Sequence, residues 1–401
     1  MHDVGGRTPL AINDRAIALL TDLISLQTVN PMGRPYPGRL PVERPVVEYL
    51  ERLFAPFGVK TTRQSCAPFH ESLLMTIPGQ TDAPGSLFES HIDTVPADDW
   101  SDRAFAPCLK NSRIYGRGAC DDKGSLSGMV LALLQLLESG RQPPQTVWLL
   151  AAGDEEHGQT GIRHLIAAER LPIGRGIFGE PTQLVPVIQH KGTIRWDITV
   201  RGKSAHTSQA ELGHNAILET LPVITALARY EHQLRATCTS PFMSGPSLTV
   251  TMIQGGRTRN MVPDACTISV DFRILPGMDR QRSVDDLFAW LSALNLPLEH
   301  SEFQCFAPAL STSPEDPFVA SVIDLCRDVL GRTMVPAGVP YGSDAGWLPE
   351  GIPAIVLGPG SIAQAHAVDE YVETEQVVQS AAIYYRIMAH DWTSIKTLTM
   401  P

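Results

Sequence analysis

The chain has 401 residues, of which 43% are hydrophobic and 19% charged, so it can bury a large core and is not disordered. Its length corresponds to two or three domains of roughly 150 residues each. A formal net charge of -11 argues against nucleic acid and anionic membranes as partners.

Cellular location is indicated by what the sequence lacks. Residues 1–20 do not show the basic and then apolar pattern of a secretory signal, and no apolar stretch is long enough to span a bilayer. The seven cysteines are scattered and include no Cys-x-x-Cys pair, so reduced thiols are expected rather than disulfides or a thiolate zinc site. We therefore expect a soluble, cytoplasmic protein.

The first half of the chain alternates short apolar runs with helical patterns. Two N-terminal helices are predicted over 13–26 and 42–57. The patterns that follow predict buried strands at 72–77, 86–90, 146–152 and 176–178, with helices at 124–139 and 160–168. This alternation predicts an α/β domain, a mostly parallel sheet flanked by helices.

The pattern changes near residue 192. It now predicts strands at 193–200, 247–253, 266–274 and 298–306, with helices at 213–230 and 282–294. The order β-α-β-β-α-β is that of a ferredoxin-like unit. A helix at 317–330, a strand at 354–358 and a helix from 374 then resume the α/β pattern. We therefore predict a first domain of 1–192 and 308–401, interrupted by an inserted domain of 193–307.

Five potential metal ligands lie at predicted strand ends or turns: His91, Asp121, Glu156, Glu180 and His366. Two imidazoles and three carboxylates suit a pair of zinc-like divalent cations. If Asp121 bridges two cations about 3.5–4 Å apart, the three carboxylates and one hydroxide balance their four positive charges. Each cation would then hold one imidazole and one terminal carboxylate and keep an exchangeable position, as catalytic sites do.

Two more acidic residues belong to these segments. Asp93 follows His91 by two residues, so on a strand it shares a face with His91 and can accept a hydrogen bond from the imidazole nitrogen that binds no metal. Glu155 and Glu156 are neighbours, so one can bind metal while the other acts as a general base. Spacing alone does not decide between the two. Each residue taken singly has an ordinary structural explanation, whereas their joint occurrence favours a site.

The segments Ser-His-Ile-Asp-Thr-Val-Pro, Cys-Asp-Asp-Lys-Gly, Gly-Asp-Glu-Glu-His-Gly and Phe-Gly-Glu-Pro-Thr resemble those of a family of dinuclear zinc amidohydrolases and metallopeptidases. This family includes acetylornithine deacetylase, succinyl-diaminopimelate desuccinylase, aminoacylase-1 and glutamate carboxypeptidase. The resemblance covers residues 14–387, although Ser90 replaces the usual glycine before the first histidine.

The resemblance implies a role for each residue of the site. His91 and Glu180 would bind one metal, Glu156 and His366 the other, and Asp121 would bridge them. The Asp121–Asp122 peptide bond would be cis. Of the residues that bind no metal, Glu155 would be the general base and Asp93 would orient His91.

The inserted domain carries further segments of the family. The resemblance implies that it forms the lid and the interface of a homodimer, and that His206, in Lys-Ser-Ala-His-Thr-Ser, reaches the partner subunit's site and donates to the oxyanion. It also implies that Arg273, supported by Asn260, binds the substrate carboxylate, for which a guanidinium is suited. Two other interpretations stay open: Arg273 could pair with an acidic neighbour, and His206 could take no part in the chemistry.

The implied function is hydrolysis of the amide bond of a small N-acyl amino acid by a metal-bridging water that Glu155 activates. Two divalent cations are expected, zinc first and cobalt or manganese as alternatives. A dipeptidase or a glutamate-type carboxypeptidase with the same mechanism is the alternative. A non-catalytic metal-binding relative is less favoured, because metal binding does not require Glu155. A serine hydrolase is not favoured, since the sequence has no Gly-x-Ser-x-Gly segment.

Overall fold

The computed structural model describes residues 11–98, 100 and 103–394, which form two compact units. The first unit contains the described residues up to Ile188, Thr312–Ala337 and those from Ser343 onward. The second contains Gln189–Ser311 and Gly338–Gly342. Residues 1–10 and 395–401 of the predicted first domain lie outside the described residues, as does half of the segment searched for a secretory signal.

The described residues form eight α-helices and seventeen strands. The helices are α1 (Ile12–Ser25), α2 (Arg44–Phe54), α3 (Lys123–Glu138), α4 (Thr160–Ala168), α5 (Ala216–Thr237), α6 (Arg280–Ser292), α7 (Pro317–Leu330) and α8 (Thr374–Ala389). The strands are β1 (Lys60–Ala67), β2 (His70–Ile77), β3 (Thr81–His91), β4 (Cys108–Lys110), β5 (Arg113–Tyr115), β6 (Gln145–Ala152), β7 (Ile173–Phe178), β8 (Val187–His190), β9 (Gly192–Arg201), β10 (Ser247–Gly255), β11 (Ala265–Ile274), β12 (Leu298–His300), β13 (Cys305–Ala307), β14 (Leu310–Ser311), β15 (Ala337–Val339), β16 (Ala354–Val356) and β17 (Tyr371–Glu373). No helix among them has the length and hydrophobicity that a bilayer span requires.

The first unit is organised around a mixed sheet in the order β1-β2-β6-β3-β7-β16. Its four central strands, β6, β3, β7 and β16, run parallel, whereas β1 and β2 are antiparallel additions at one edge. The parallel strands are buried towards their carboxyl ends, although the first residues of β3 and β7 are partly exposed. This burial explains their continuous apolar sequences. The carboxyl ends of parallel strands share one edge, where ligands of α/β proteins typically bind. This arrangement confirms the predicted α/β class.

Helix α3 is buried along almost its whole length and packs against α8. Gly128 is required at this contact, because a Cβ atom there would lie 2.2 Å from Ser380 Oγ. On α8, the buried Tyr384 donates a hydrogen bond to the carbonyl oxygen of Leu357, at 2.5 Å. Helix α8 is therefore part of the core of the first unit and supports α3, which begins two residues after Asp121.

The second unit is a sheet in the order β10-β11-β9-β12, with β13 also on β9. The strands are antiparallel, and α5 and α6 contribute to one buried core with them around Trp196. The element order is the predicted ferredoxin-like one. The single strand predicted over 298–306 is wrong in one respect: it is two short strands, β12 and β13, which pair with different parts of β9.

Candidate metal centre

His91 ends β3 and lies at the carboxyl edge of the sheet, with 1% of its surface exposed. Its Nδ1 lies 3.0 Å from the backbone carbonyl oxygen of Asp93. A carbonyl only accepts, so Nδ1 carries a proton, and in the neutral ring Nε2 is the nitrogen that presents a lone pair. Nε2 lies 2.8 Å from Asp121 Oδ1. The ring is thus held in the tautomer that can bind a metal through Nε2.

Asp121 lies between the two histidines. Its Oδ1 faces His91 Nε2, and its Oδ2 is 3.2 Å from His366 Nε2. Burial favours the neutral acid, but hydrogen bonds from His366 and His91 outweigh it and lower the pKa of Asp121. The peptide bond to Asp122 is cis, as the resemblance implies. One buried carboxylate therefore offers one oxygen to each imidazole, which is the arrangement expected of a bridging ligand.

Glu156 and Glu180 follow the carboxyl ends of β6 and β7. Glu156 Oε2 is 3.2 Å from His366 Nε2. Potential ligand atoms of His91, Asp121 and Glu156 lie within 4.8 Å of one another, and so do those of a second group, His91, Glu155 and Glu180. The five predicted ligands are therefore brought together from five separate segments.

The electrostatics of this cluster fit a pair of divalent cations. Burial raises the pKa of Glu156, and the negative charge of Asp121 raises it further. The pKa of Glu180 is raised well above its usual value by the same two causes. Buried carboxylates this close to one another stay ionised only when positive charge balances them. The set of two imidazoles and several carboxylate oxygens suits zinc and related metals.

Glu155 lies beside the cluster, in the loop after β6 that also carries Glu156. Burial raises its pKa to about 8, with a further contribution from the charge of Glu156. Both glutamates lie in groups whose atoms can reach a metal, so position alone does not separate the base from the ligand. Glu156 is bonded to His366, whereas Glu155 Oε1 accepts a hydrogen bond from Gln159.

Asp93 is placed differently from the expectation. Its nearest carboxylate oxygen is 3.7 Å from His91 Nδ1, beyond hydrogen-bond distance, because the backbone carbonyl of Asp93 takes that proton. The carboxylate instead accepts from the backbone N–H groups of Glu155 and Glu156, at 3.1 and 3.2 Å, and from Asn30 Nδ2, at 2.8 Å. Asp93 therefore orders the loop that carries the two glutamates.

Sequence reasoning missed a buried ion pair behind the site. Arg117 Nη1 lies 2.6 Å from Glu370 Oε2, and Glu370 Oε1 accepts from the backbone N–H groups of Cys120 and Asp121. Arg117 also donates to the carbonyl oxygens of Pro96 and Ala367. The pair connects the segments after His91, before Asp121 and after His366. Glu370 follows the predicted ligand His366 by only four residues, but nothing in the sequence showed its partner.

The residues predicted on the inserted segment all lie in the second unit. His206 is exposed, and its Nδ1 accepts from the backbone N–H of Ser208 at 3.2 Å, so the proton of a neutral ring is on Nε2. Asn260 is exposed as well. Arg273 is paired with Asp271, at 2.6 Å, and donates to Thr193 Oγ1 at 2.8 Å. The pairing of Arg273 with an acidic neighbour, one of the two interpretations left open, is therefore present.

Residues 87–390 match the sequence profile of peptidase family M20/M25/M40. The acetylornithine deacetylase of Myxococcus xanthus is 30% identical over 390 residues, which cover 93% of this chain and 96% of that relative. This chain belongs to the M20 family. It is therefore a metal-dependent amidohydrolase, which confirms the predicted family and enzyme class.

Two solved structures show that the M20 fold extends over nearly the whole chain. An M20 family metallo-carboxypeptidase from Sulfolobus solfataricus has a TM-score of 0.77 at 19% identity, over 93% of this chain and 98% of that chain. A dinuclear metal-binding peptidase of family M20 from Bacillus subtilis has a TM-score of 0.66 at 15% identity, over 94% of this chain and 98% of that chain. At these identities, the similarity to the two structures shows only that this M20 enzyme shares their fold.

Proposed function

We propose that the enzyme hydrolyses the amide bond of a small N-acyl amino acid. The observation that carries this proposal is the convergence of two imidazoles on the single buried carboxylate of Asp121, with three glutamates around them. The acetylornithine deacetylase of Myxococcus xanthus is similar to this chain over nearly its whole length, and this supports an acyl amino acid as the substrate.

We propose two divalent cations as cofactors, zinc first and cobalt or manganese as alternatives. His91 and Glu180 would hold one cation, His366 and Glu156 the other, and Asp121 both. When bound, such cations polarise a carbonyl oxygen and lower the pKa of bound water to about 7. The dinuclear peptidase with the same fold supports the number of cations.

The chain's own residues would move the protons. Glu155 takes a proton from the attacking water and returns it to the nitrogen of the leaving amine, so it ends the cycle in its starting state. His206 donates from Nε2 to the oxygen that becomes negative in the tetrahedral intermediate. Arg273, with Asn260, binds the substrate carboxylate, although this requires a guanidinium that is already shared with Asp271.

The second unit has the surface that a homodimer would need. Strand β10 is at an edge of its sheet, and Met252 and Ile253 are each more than half exposed on it. Leu218 and Leu221 of α5 are equally exposed. Apolar side chains beside an unpaired strand edge are typical of a protein interface. We propose that this surface forms the homodimer.

The function is tested by assaying amine release from a panel of acetyl, succinyl and longer-chain acyl amino acids, with dipeptides in parallel. Chelation should abolish turnover, and zinc, cobalt or manganese should restore it.

Glu155→Gln should keep its metal content and lose about 10²- to 10⁴-fold in kcat. Loss of metal from that variant would mean that base and ligand are exchanged. Faster turnover of dipeptides would favour the dipeptidase alternative.

A further inference from the structure

A side chain outside the ligand set contacts Glu155 directly. Gln159 is buried, and its Nε2 donates to Glu155 Oε1 at 3.0 Å. Its Oε1 accepts from the indole Nε1–H of Trp347 at 2.9 Å. We propose that Gln159 and Trp347 are positioning residues, which hold the Glu155 carboxylate in the orientation that takes a proton from water. This inference rests on the proposed role of Glu155 as the general base.

Trp347 decides which end of the Gln159 amide faces Glu155. An indole N–H only donates, so it can pair with the amide oxygen and not with the amide nitrogen. The amide NH₂ is therefore turned toward Glu155. A flipped amide would set two donors against each other and place its oxygen against a carboxylate oxygen. The indole thus excludes the orientation that would push the carboxylate away.

The backbone supports both residues. Gln159 precedes α4 with a φ of 52°, and its N–H donates to the carbonyl oxygen of Asp154 at 2.5 Å. Trp347 ends a short 3-10 helix, Asp344–Trp347, and its ring lies under the guanidinium of Arg163, 5.1 Å from it. Gln159 and Trp347 are therefore each held by a contact with a residue that is not a predicted metal ligand.

Three variants separate the two bonds. Gln159→Leu removes both bonds, and Trp347→Phe keeps a large ring but removes the donor. Gln159→Glu keeps the size of the side chain and its bond from Trp347, yet presents a carboxylate oxygen to Glu155. We expect Gln159→Leu and Gln159→Glu to lower kcat by about 10- to 100-fold, with KM and metal content close to wild type. The isosteric variant keeps the test valid should Gln159→Leu fold poorly.

A matched control exists on α8, where Gln379 Nε2 donates to Glu375 Oε1 at 3.1 Å on the exposed surface. Gln379→Leu deletes the same kind of glutamine–glutamate bond and should leave kcat unchanged. Trp347→Phe should lower kcat in the wild-type background but add nothing in Gln159→Leu. An equal loss in both backgrounds, or a Gln159→Leu enzyme with wild-type kcat, would overturn the proposal.

A second readout does not depend on activity. In the metal-free protein, NMR should show the Trp347 indole N–H signal, assigned from its absence in Trp347→Phe, moving when Gln159 is replaced by Leu. An unmoved signal would also overturn the proposal. Failure of the proposed function is distinguishable: Glu155→Gln would then either stay active or lose its metal. An inactive Glu155→Gln that keeps its metal, beside an unaffected Gln159→Leu, would reject this inference alone.

Discussion

The Asp93 carboxylate accepts hydrogen bonds from Asn30 and from the backbone N–H groups of Glu155 and Glu156. Asp93→Asn would replace one acceptor oxygen by an NH₂ group that faces these donors. We expect kcat to fall about 100-fold, because the loop with the base shifts. Metal content should stay near that of wild type, because the backbone carbonyl still orients His91. Kinetics and metal analysis measure kcat and metal content. A loss of metal would show that the Asp93 carboxylate orients the His91 imidazole.

His190 is fully buried in the second unit, and burial lowers its pKa to about 4. The unfolded chain binds this proton near pH 6.5, whereas the folded chain does so only near the lowered value. The folded state therefore loses stability as the pH falls from about 6.5 to 4, by about 3 kcal/mol in total. An NMR titration of the ring should show a neutral His190 at pH 5.5. Titration near 6.5 would contradict this. His190→Leu should lose less stability than the wild type when the pH is lowered.

Three connecting segments of the first unit meet at the ion pair of Arg117 and Glu370, whose side chains are at most 5% exposed. Glu370→Gln leaves a buried guanidinium without its counter-charge, which typically destabilises by about 3–5 kcal/mol. We expect a clear fall in the unfolding temperature and weaker metal binding, because the backbone of Asp121 loses its support.

Glu373→Gln is the control for that variant. Its partner is Arg113, at 3.2 Å, in a pair that is more than one-third exposed on the same segment of chain. Such pairs contribute about 1 kcal/mol or less. Thermal unfolding and zinc titration of both variants test the difference. Equal small effects would show that the buried pair does not support the site.

The sequence predicted those elements whose apolar pattern is strong. The central strands and α3 were located because most of their residues are buried, although β3 begins at Thr81 rather than at the predicted residue 86. Strand β1 was missed, since its sequence, Lys-Thr-Thr-Arg-Gln-Ser-Cys-Ala, is mostly polar and forms the exposed edge of the sheet. The metal ligands were recognisable from their local segments. The pairs Arg117–Glu370 and Gln159–Trp347 were not recognisable, because their residues lie 253 and 188 positions apart in the chain.

At the scale of the whole molecule, the predicted homodimer depends on strand β10. Ile253→Lys would place a charge on its exposed apolar surface, where a partner strand would have to desolvate it. We expect this variant to be a monomer with its fold intact. Sedimentation and circular dichroism measure the two properties. A dimeric Ile253→Lys would place the interface elsewhere.

The proposed role of His206 across the dimer makes a quantitative prediction. His206→Ala and Glu155→Gln chains are each expected to be nearly inactive alone. When equal amounts exchange subunits at random, half of the dimers are mixed, and each mixed dimer has one site with both residues intact. Activity should therefore recover to about one quarter of wild type. Adding Ile253→Lys to both chains should abolish the recovery. If His206 acted within its own subunit, every site would still lack one of the two residues, and mixing would restore nothing.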